Sequence, residues 1–247
     1  MIFDVLTLFP EMFVSPFAES VLGKAIDKGL IALHAHNLRD WAEGRHKVVD
    51  DTPYGGGDGM VMKPEPVCRA LDELRQRAPG SRVLLMSPQG RPFRQAEARE
   101  LARDPGLILV CGRYEGFDER IRSRVDGEYS LGDFVLTGGE LAAMVMIDAI
   151  ARLLPGVLGS SGSAESDSFS DGLLEYPHYT RPVEFEGKRV PEVLLSGHHG
   201  EISRWRRQQQ LRRTLERRPE LLAKAPLSEA DQAFLARLRD ESRERTP

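Results

Sequence analysis

The apolar positions of this chain fall into two rhythms. Residues 2–8 form a short apolar run closed by Phe9-Pro10, the pattern of a buried strand. Residues 18–28 carry apolar positions at helical spacing and stop before Gly29; residues 30–36 alternate as a strand does. The spacing predicts a helix over 64–77, ended by Pro79-Gly80. Strand 82–86, helix 94–103 and strand 107–111 then make a βαβ unit, for which a parallel sheet is the expected solution. Residues 139–154 form the most apolar helix, in which Leu141, Met144, Val145, Met146 and Ile147 surround Asp148. A helix apolar all round must be buried on nearly every side, and a second copy of the chain is one way to cover a face. Periodicity alone gives an α/β fold with a doubly wound sheet and no internal repeat.

Two polar stretches interrupt these rhythms. Residues 45–59 form a long loop, of a length that is usually functional or disordered. Residues 156–172 hold six Ser and four Gly, the composition of a flexible linker. Phe169 is costly in a mobile tether, and Leu173-Leu174 follow at once, so a segment that orders on substrate binding is the sharper reading. Beyond it, residues 198–243 read as mostly helical, with Ser228 and Asp231 opening the last helix at capping-box spacing. The expected organisation is a first domain over 1–159, a linker over 160–172 and a small helical domain over 173–247.

Composition narrows the classes. The 247 residues are 40% hydrophobic, and a net charge of -4 gives no whole-protein field toward nucleic acid or membrane. Locally, residues 204–218 hold seven Arg against one Glu, which reads either as a polyanion footprint or as a solvated helix face. Cys68 and Cys111 sit in apolar runs and read as buried, inert thiols rather than a disulfide or metal site. Met1-Ile2-Phe3-Asp4 lacks a basic leader, and no apolar run is long enough to span a bilayer, so the expected location is cytoplasmic.

The candidate chemistry lies in three loops, each rich in Gly, Pro or Ser, that follow β-rich runs. They are Ser87-Pro88-Gln89-Gly90-Arg91, Gly112-Arg113-Tyr114-Glu115-Gly116, and Leu131 through Gly132, Asp133, Phe134, Val135, Leu136 and Thr137 to Gly138-Gly139. Loops at strand ends of an open α/β sheet converge on one edge, where ligands bind. Glycine lets main-chain groups approach a ligand, so one pocket lined largely by backbone is expected.

These loops resemble the bacterial tRNA (guanine-N1)-methyltransferase family, TrmD. The collinear matches include the block from Val110 to Arg120, Leu131 to Glu140, Pro155-Gly156-Val157-Leu158-Gly159, Asp50 to Gly57, Pro177-His178-Tyr179-Thr180-Arg181-Pro182 and Val193-Leu194-Leu195-Ser196-Gly197. The resemblance implies a SPOUT-type parallel sheet with a deep trefoil knot, S-adenosylmethionine as cofactor, and a homodimer with active sites at the subunit interface. It implies methylation of N1 of the guanosine at tRNA position 37, with 173–247 as the tRNA-binding domain; whether Mg²⁺ assists is not readable from the residues.

By that similarity, Asp167 is the general base and Arg152 the cation that takes developing charge at O6. Asp167 is placed by counting back from Ser168-Phe169, which leaves Glu165 and Asp171 as neighbouring assignments. The implied cofactor residues are Ser87, Pro88, Gly112, Glu115, Leu131, Gly132, Asp133, Phe134, Val135, Leu136, Gly138 and Gly139. Arg45, His46, Lys47 and Asp50 look like substrate-side residues; Arg206, Arg207, Arg212 and Arg213 are the tRNA contacts of the Arg-rich helix. His178 suits either an RNA contact or a structural hydrogen bond. Tyr54, Tyr114 and Trp205 are candidates for base stacking, although core packing is the better reading of Trp205. No resident metal is expected. Two rivals are a knotted methyltransferase for another RNA base, and an RNA-binding module without chemistry.

Overall fold

The computed structural model describes residues 1–159 and 166–244. It divides into two compact units, Met1–Ser161 and Gly162–Pro247.

The first unit is built on a five-stranded sheet in which every neighbouring pair is parallel. Its strands are β1 (Ile2–Thr7), β2 (Ala32–Asn37), β5 (Arg82–Pro92), β6 (Gly106–Cys111) and β7 (Gly127–Ser130), in the order β2-β1-β6-β5-β7. Strand β6 is buried at every position, as a parallel strand covered on both faces must be. Its side chains alternate between two cores. Leu107, Leu109 and Cys111 join Phe3, Val5, Leu84 and Met86 on one face; Ile108 and Val110 join Leu6, Val83 and Leu85 on the other.

Each face has its own helix cover. α3 (Pro64–Arg77) follows the short helices α1 (Val14–Phe17) and α2 (Ser20–Asp27), and it occupies the range its periodicity predicts. Pro64 opens it where a missing N–H costs nothing. Val67, Ala70, Leu71 and Leu74, one stripe at i, i+3, i+4 and i+7, are buried on the second core. Full burial of Leu71 or Leu74 contributes about 1.5–3 kcal/mol. α4 (Gln95–Leu101) and α5 (Glu140–Ala151) cover the first core.

Three expectations change here. The loop after Met86 is an excursion within β5: Met86 and Arg91 both pair with Tyr129, so residues 87–90 leave the ladder and the strand resumes. Helix α5 is not buried all round within one chain, since Leu141 and Val145, one turn apart, are 51% and 50% exposed. Cys111 is buried, but Cys68 is only partly so. Within the long polar loop, two short strands, β3 (Asp50–Asp51) and β4 (Val61–Met62), pair as a hairpin around the glycines.

In the second unit, α6 (His199–Arg217), a 3-10 turn at Pro219–Ala223 and α7 (Glu229–Glu244) pack around Leu173, Leu211, Leu222 and Leu235. Ser228 and Asp231 form the expected reciprocal cap, with N–H to side-chain distances of 3.0 and 3.2 Å. The stretch before α6 holds no α-helix after residue 172; it carries a minimal hairpin, β8 (Glu184–Phe185) with β9 (Lys188–Arg189), and a 3-10 turn at Glu192–Leu194. Of the serine-rich segment, residues 160–165 lie outside the described residues, while Phe169 N–H donates to the Leu173 carbonyl at 2.7 Å. Among the described residues no helix is long and apolar enough to cross a membrane.

Candidate active site

Strands β6, β5 and β7 are parallel neighbours, so their C-terminal ends lie along one sheet edge. The excursion at residues 87–90 of β5 and the loops that follow β6 and β7 enclose a cavity of about 310 Å³. That volume is the lower end of what a small-molecule site needs. Of the expected cofactor residues, Ser87, Pro88, Gly112, Glu115, Leu131, Phe134, Val135, Leu136, Gly138 and Gly139 line it. Gly132 and Asp133 belong to the same loop but lie off the wall: Asp133 is exposed, and a Cβ on Gly132 would stand 2.8 Å from the Phe134 ring.

The wall needs glycine for stated reasons. A Cβ on Gly112 would lie 2.5 Å from the Phe117 ring. One on Gly139 would lie 2.8 Å from Cys111 Cα and 2.9 Å from Met86 Cβ. Gly139 N–H also donates to the Gly112 carbonyl at 2.9 Å, clamping the second loop to the third. The same cavity is lined by an apolar row, Phe134, Val135 and Leu136, left 55%, 83% and 38% exposed. Main-chain cradle, apolar row and volume together fit the adenosine part of S-adenosylmethionine.

Charge in the wall is arranged in pairs. Arg122 pairs with Glu128 and Glu119 and donates to Gln89 Oε1 at 2.9 Å; the hydrogen bond to Glu128 chiefly raises its pKa. Arg113 Nη2 lies 3.0 Å from Glu140 Oε2, Arg113 Nη1 donates to the Thr137 carbonyl at 3.3 Å, and the guanidinium stands 4.4 Å over the Phe9 ring. The contact to Glu140 is a charge contact and not an aligned hydrogen bond, since Glu140 Oε2 and Arg113 Nε are both buried without one. Thr7 Oγ1 donates to Glu140 Oε1 at 2.8 Å. Burial, and then the Glu140 carboxylate, push the Cys111 thiol well above its ordinary pKa, so it stays a neutral thiol in the core beside the cavity. Among the described residues, no cluster of three or more His, Cys, Asp or Glu is placed to hold a metal.

The long polar loop is tied to the second cofactor loop. Glu115 N–H donates to the Met60 carbonyl at 3.0 Å and Met62 N–H to the Gly116 carbonyl at 2.9 Å. Arg45, His46 and Lys47 are exposed near its start, and Asp50 is half-buried in β3. Tyr54 is fully exposed at its tip; Tyr114, held at a φ of 61°, is in the cavity wall. Arg152 is half-buried at the C-cap of α5.

In the second unit Asp167 is half-buried, and its carbonyl accepts from Ser170 N–H at 3.1 Å. The four arginines singled out on α6 differ from one another. Arg207 is committed internally, to Asp231 at 2.9 Å and Asp171 at 2.6 Å. Arg206 is exposed and stacks 4.8 Å over Tyr176, Arg212 is half-buried, and Arg213 donates to the Glu175 carbonyl at 3.3 Å. Trp205 is half-buried against Tyr179, and His178 is 2.6 Å from Glu175, which fits the structural reading of that histidine.

Sequence reasoning passed over Gln89, Arg113, Arg122 and Glu140. The available signal was an acid heading the most apolar helix directly after Gly138-Gly139, with an arginine inside the second glycine loop.

Comparison with known proteins adds the remaining observation. Residues 1–224 match a family model described as tRNA (Guanine-1)-methyltransferase TrmD. The chain is 68% identical over 238 residues to the tRNA (guanine-N(1)-)-methyltransferase of Syntrophotalea carbinolica, covering 96% of each chain. It is 60% identical to the protein of the same name from Geobacter metallireducens, over 96% of this chain and 98% of the relative. A third, from Dehalococcoides mccartyi, is 60% identical over 94% of each.

Proposed function

The chain belongs to the TrmD tRNA (guanine-1)-methyltransferase family, and from that premise we propose that it methylates N1 of the guanosine at tRNA position 37, using S-adenosylmethionine. The observation that carries the reading is the cavity that three glycine loops enclose at one sheet edge, in a chain whose family model spans 1–224. The deep trefoil knot and a homodimer with active sites at the subunit interface are part of the same proposal. The exposed apolar pair Leu141 and Val145 on α5 supports the dimer.

When bound, S-adenosylmethionine supplies a methyl group on a sulfonium. The chain must position that methyl and prepare a nucleophile. The cradle around Gly112, Gly138 and Gly139 would hold the adenosine by main-chain groups, and Phe134, Val135 and Leu136 would supply apolar surface for it. Glu115, the wall's one charge not answered by an ion pair among the described residues, faces the cationic ligand. Guanine N1 keeps its proton well above neutral pH and is a poor nucleophile until it is lost. Asp167 accepts that proton, and Arg152 stabilises the negative charge developing at O6. Arg45, His46 and Lys47 contact phosphates near the target base, with Asp50 beside them; Arg206, Arg212 and Arg213 add sequence-independent affinity.

The test is incubation with labelled S-adenosylmethionine and unmodified tRNA, followed by nucleoside analysis. The label is expected in 1-methylguanosine. Label in a different nucleoside would overturn the assignment of the base, and no transfer to any RNA would favour a binding module.

A further inference from the structure

Four charged side chains line the cavity: Arg113, Glu115, Glu119 and Arg122. Arg122 is answered by Glu119 and Glu128. Arg113 is answered from behind the wall by Glu140, which is 1% exposed and stands 27 residues away in sequence. Thr7 fixes one oxygen of Glu140 at 2.8 Å, yet the other oxygen and Arg113 Nε are buried without hydrogen bonds. As a stabilising device this pair is poor, because a buried ion pair repays its desolvation only when the remaining polar atoms are satisfied. Its consequence for charge is clear. With Glu140 in place the guanidinium is neutralised, and Glu115 is the net charge of that side of the wall.

We propose that Glu140 is a specificity-determining residue of the cavity: as the buried counter-ion of Arg113 it lets the wall accept a cationic sulfonium, and it sets the preference for that ligand over the neutral thioether left after methyl transfer. The proposal rests on the reading of the cavity as an S-adenosylmethionine site. The two ligands differ by one methyl and one positive charge, so a merely structural role for Glu140 would shift both affinities together. An uncompensated Arg113 repels only the sulfonium, in a wall where screening is weak.

The experiment is calorimetric titration of the full chain with S-adenosylmethionine and with S-adenosylhomocysteine. Glu140→Gln keeps the shape and leaves an oxygen for Thr7. It should weaken S-adenosylmethionine about ten-fold or more while S-adenosylhomocysteine changes less than about three-fold. Arg113→Gln leaves Glu140 without its counter-ion. It should move the ratio the opposite way, by about three-fold or more. The double variant should return the ratio to that of the unaltered chain. Equal weakening of both ligands in Glu140→Gln would overturn the proposal, as would an unmoved ratio. Should Glu140→Gln fail to fold, the direction of the Arg113→Gln shift decides alone. Failure of the unaltered chain to bind either ligand would sink the cofactor-site reading itself, a distinguishable result.

Discussion

Gly139→Ala tests the cradle at its tightest point. The backbone there has φ -78°, which alanine adopts without strain, so any effect is steric. The new methyl would lie 2.8 Å from Cys111 Cα, 2.9 Å from Met86 Cβ and 3.0 Å from Gly112 N. Met86 is the last β5 residue before its excursion, Cys111 ends β6 and Gly112 follows it, and none of the three atoms is the tip of a flexible side chain. The third loop must therefore back away from the sheet, stretching the 2.9 Å bond from Gly139 N–H to the Gly112 carbonyl. Overpacking of this kind costs about 1–3 kcal/mol. For a chain of this size that corresponds to a fall in Tm of about 2–12 °C. The same displacement opens the cavity, so S-adenosylmethionine affinity should fall by about ten-fold or more, the effect of ~1.4 kcal/mol. Gly200→Ala is the control: nothing lies within 4 Å of its Cβ, near the start of α6, and it should be neutral or slightly stabilising. Calorimetric titration with a parallel thermal melt reads both quantities. Unchanged affinity in folded Gly139→Ala protein would refute the cradle.

Asp167→Asn should lower turnover about 10²–10⁴-fold with S-adenosylmethionine affinity unchanged, and Arg152→Ala should cost a comparable amount; single-turnover kinetics beside ligand titration reads the split. Neutralising Arg206, Arg212 and Arg213 together should reduce the slope of log tRNA affinity against log salt by roughly 2–3, about 0.7–0.9 for each phosphate no longer neutralised; an unchanged slope would mean that this helix faces elsewhere. Arg207→Ala should act on stability instead, because Asp231 is buried. Hydrogen bonds from Arg207 hold the Asp231 carboxyl below its ordinary pKa, so the stabilisation is full above about pH 4 and lost as pH falls through the depressed value; the Tm gap between unaltered and Arg207→Ala protein should narrow there. Leu141→Asp with Val145→Asp should give a monomer in analytical ultracentrifugation, and an unaltered chain that is itself monomeric at micromolar concentration would count against the dimer.

Legibility in the sequence followed the range of the physics. Helix α3 could be read to the residue because its signals are local: a proline opener, a four-residue apolar stripe and the Pro79-Gly80 stop. Burial of β6 was legible as an unbroken apolar run. The three loops stood out because glycine marks close backbone approach wherever it occurs. What stayed hidden depends on distant partners. Arg207 looks like its neighbours until Asp171 and Asp231 arrive from 36 and 24 residues away. The pairing of Arg113 with Glu140 exists only once α5 folds back beside β6. The exposed side of α5 was invisible because a uniformly apolar helix has no period to say which face is covered. The irregular stretch before α6 carries only a two-residue ladder, too short to leave an alternation pattern.

The central claim is that this cavity serves transfer of a methyl group to N1 of one guanosine. Nuclease mapping by mass spectrometry tests it most directly, on a tRNA transcript with guanosine at position 37 and on its counterpart with adenosine there, after incubation with the protein and S-adenosylmethionine. The account predicts a single methyl on N1 of guanosine 37 and none in the adenosine transcript. A methyl at any other nucleotide, or equal modification of both transcripts, would contradict it.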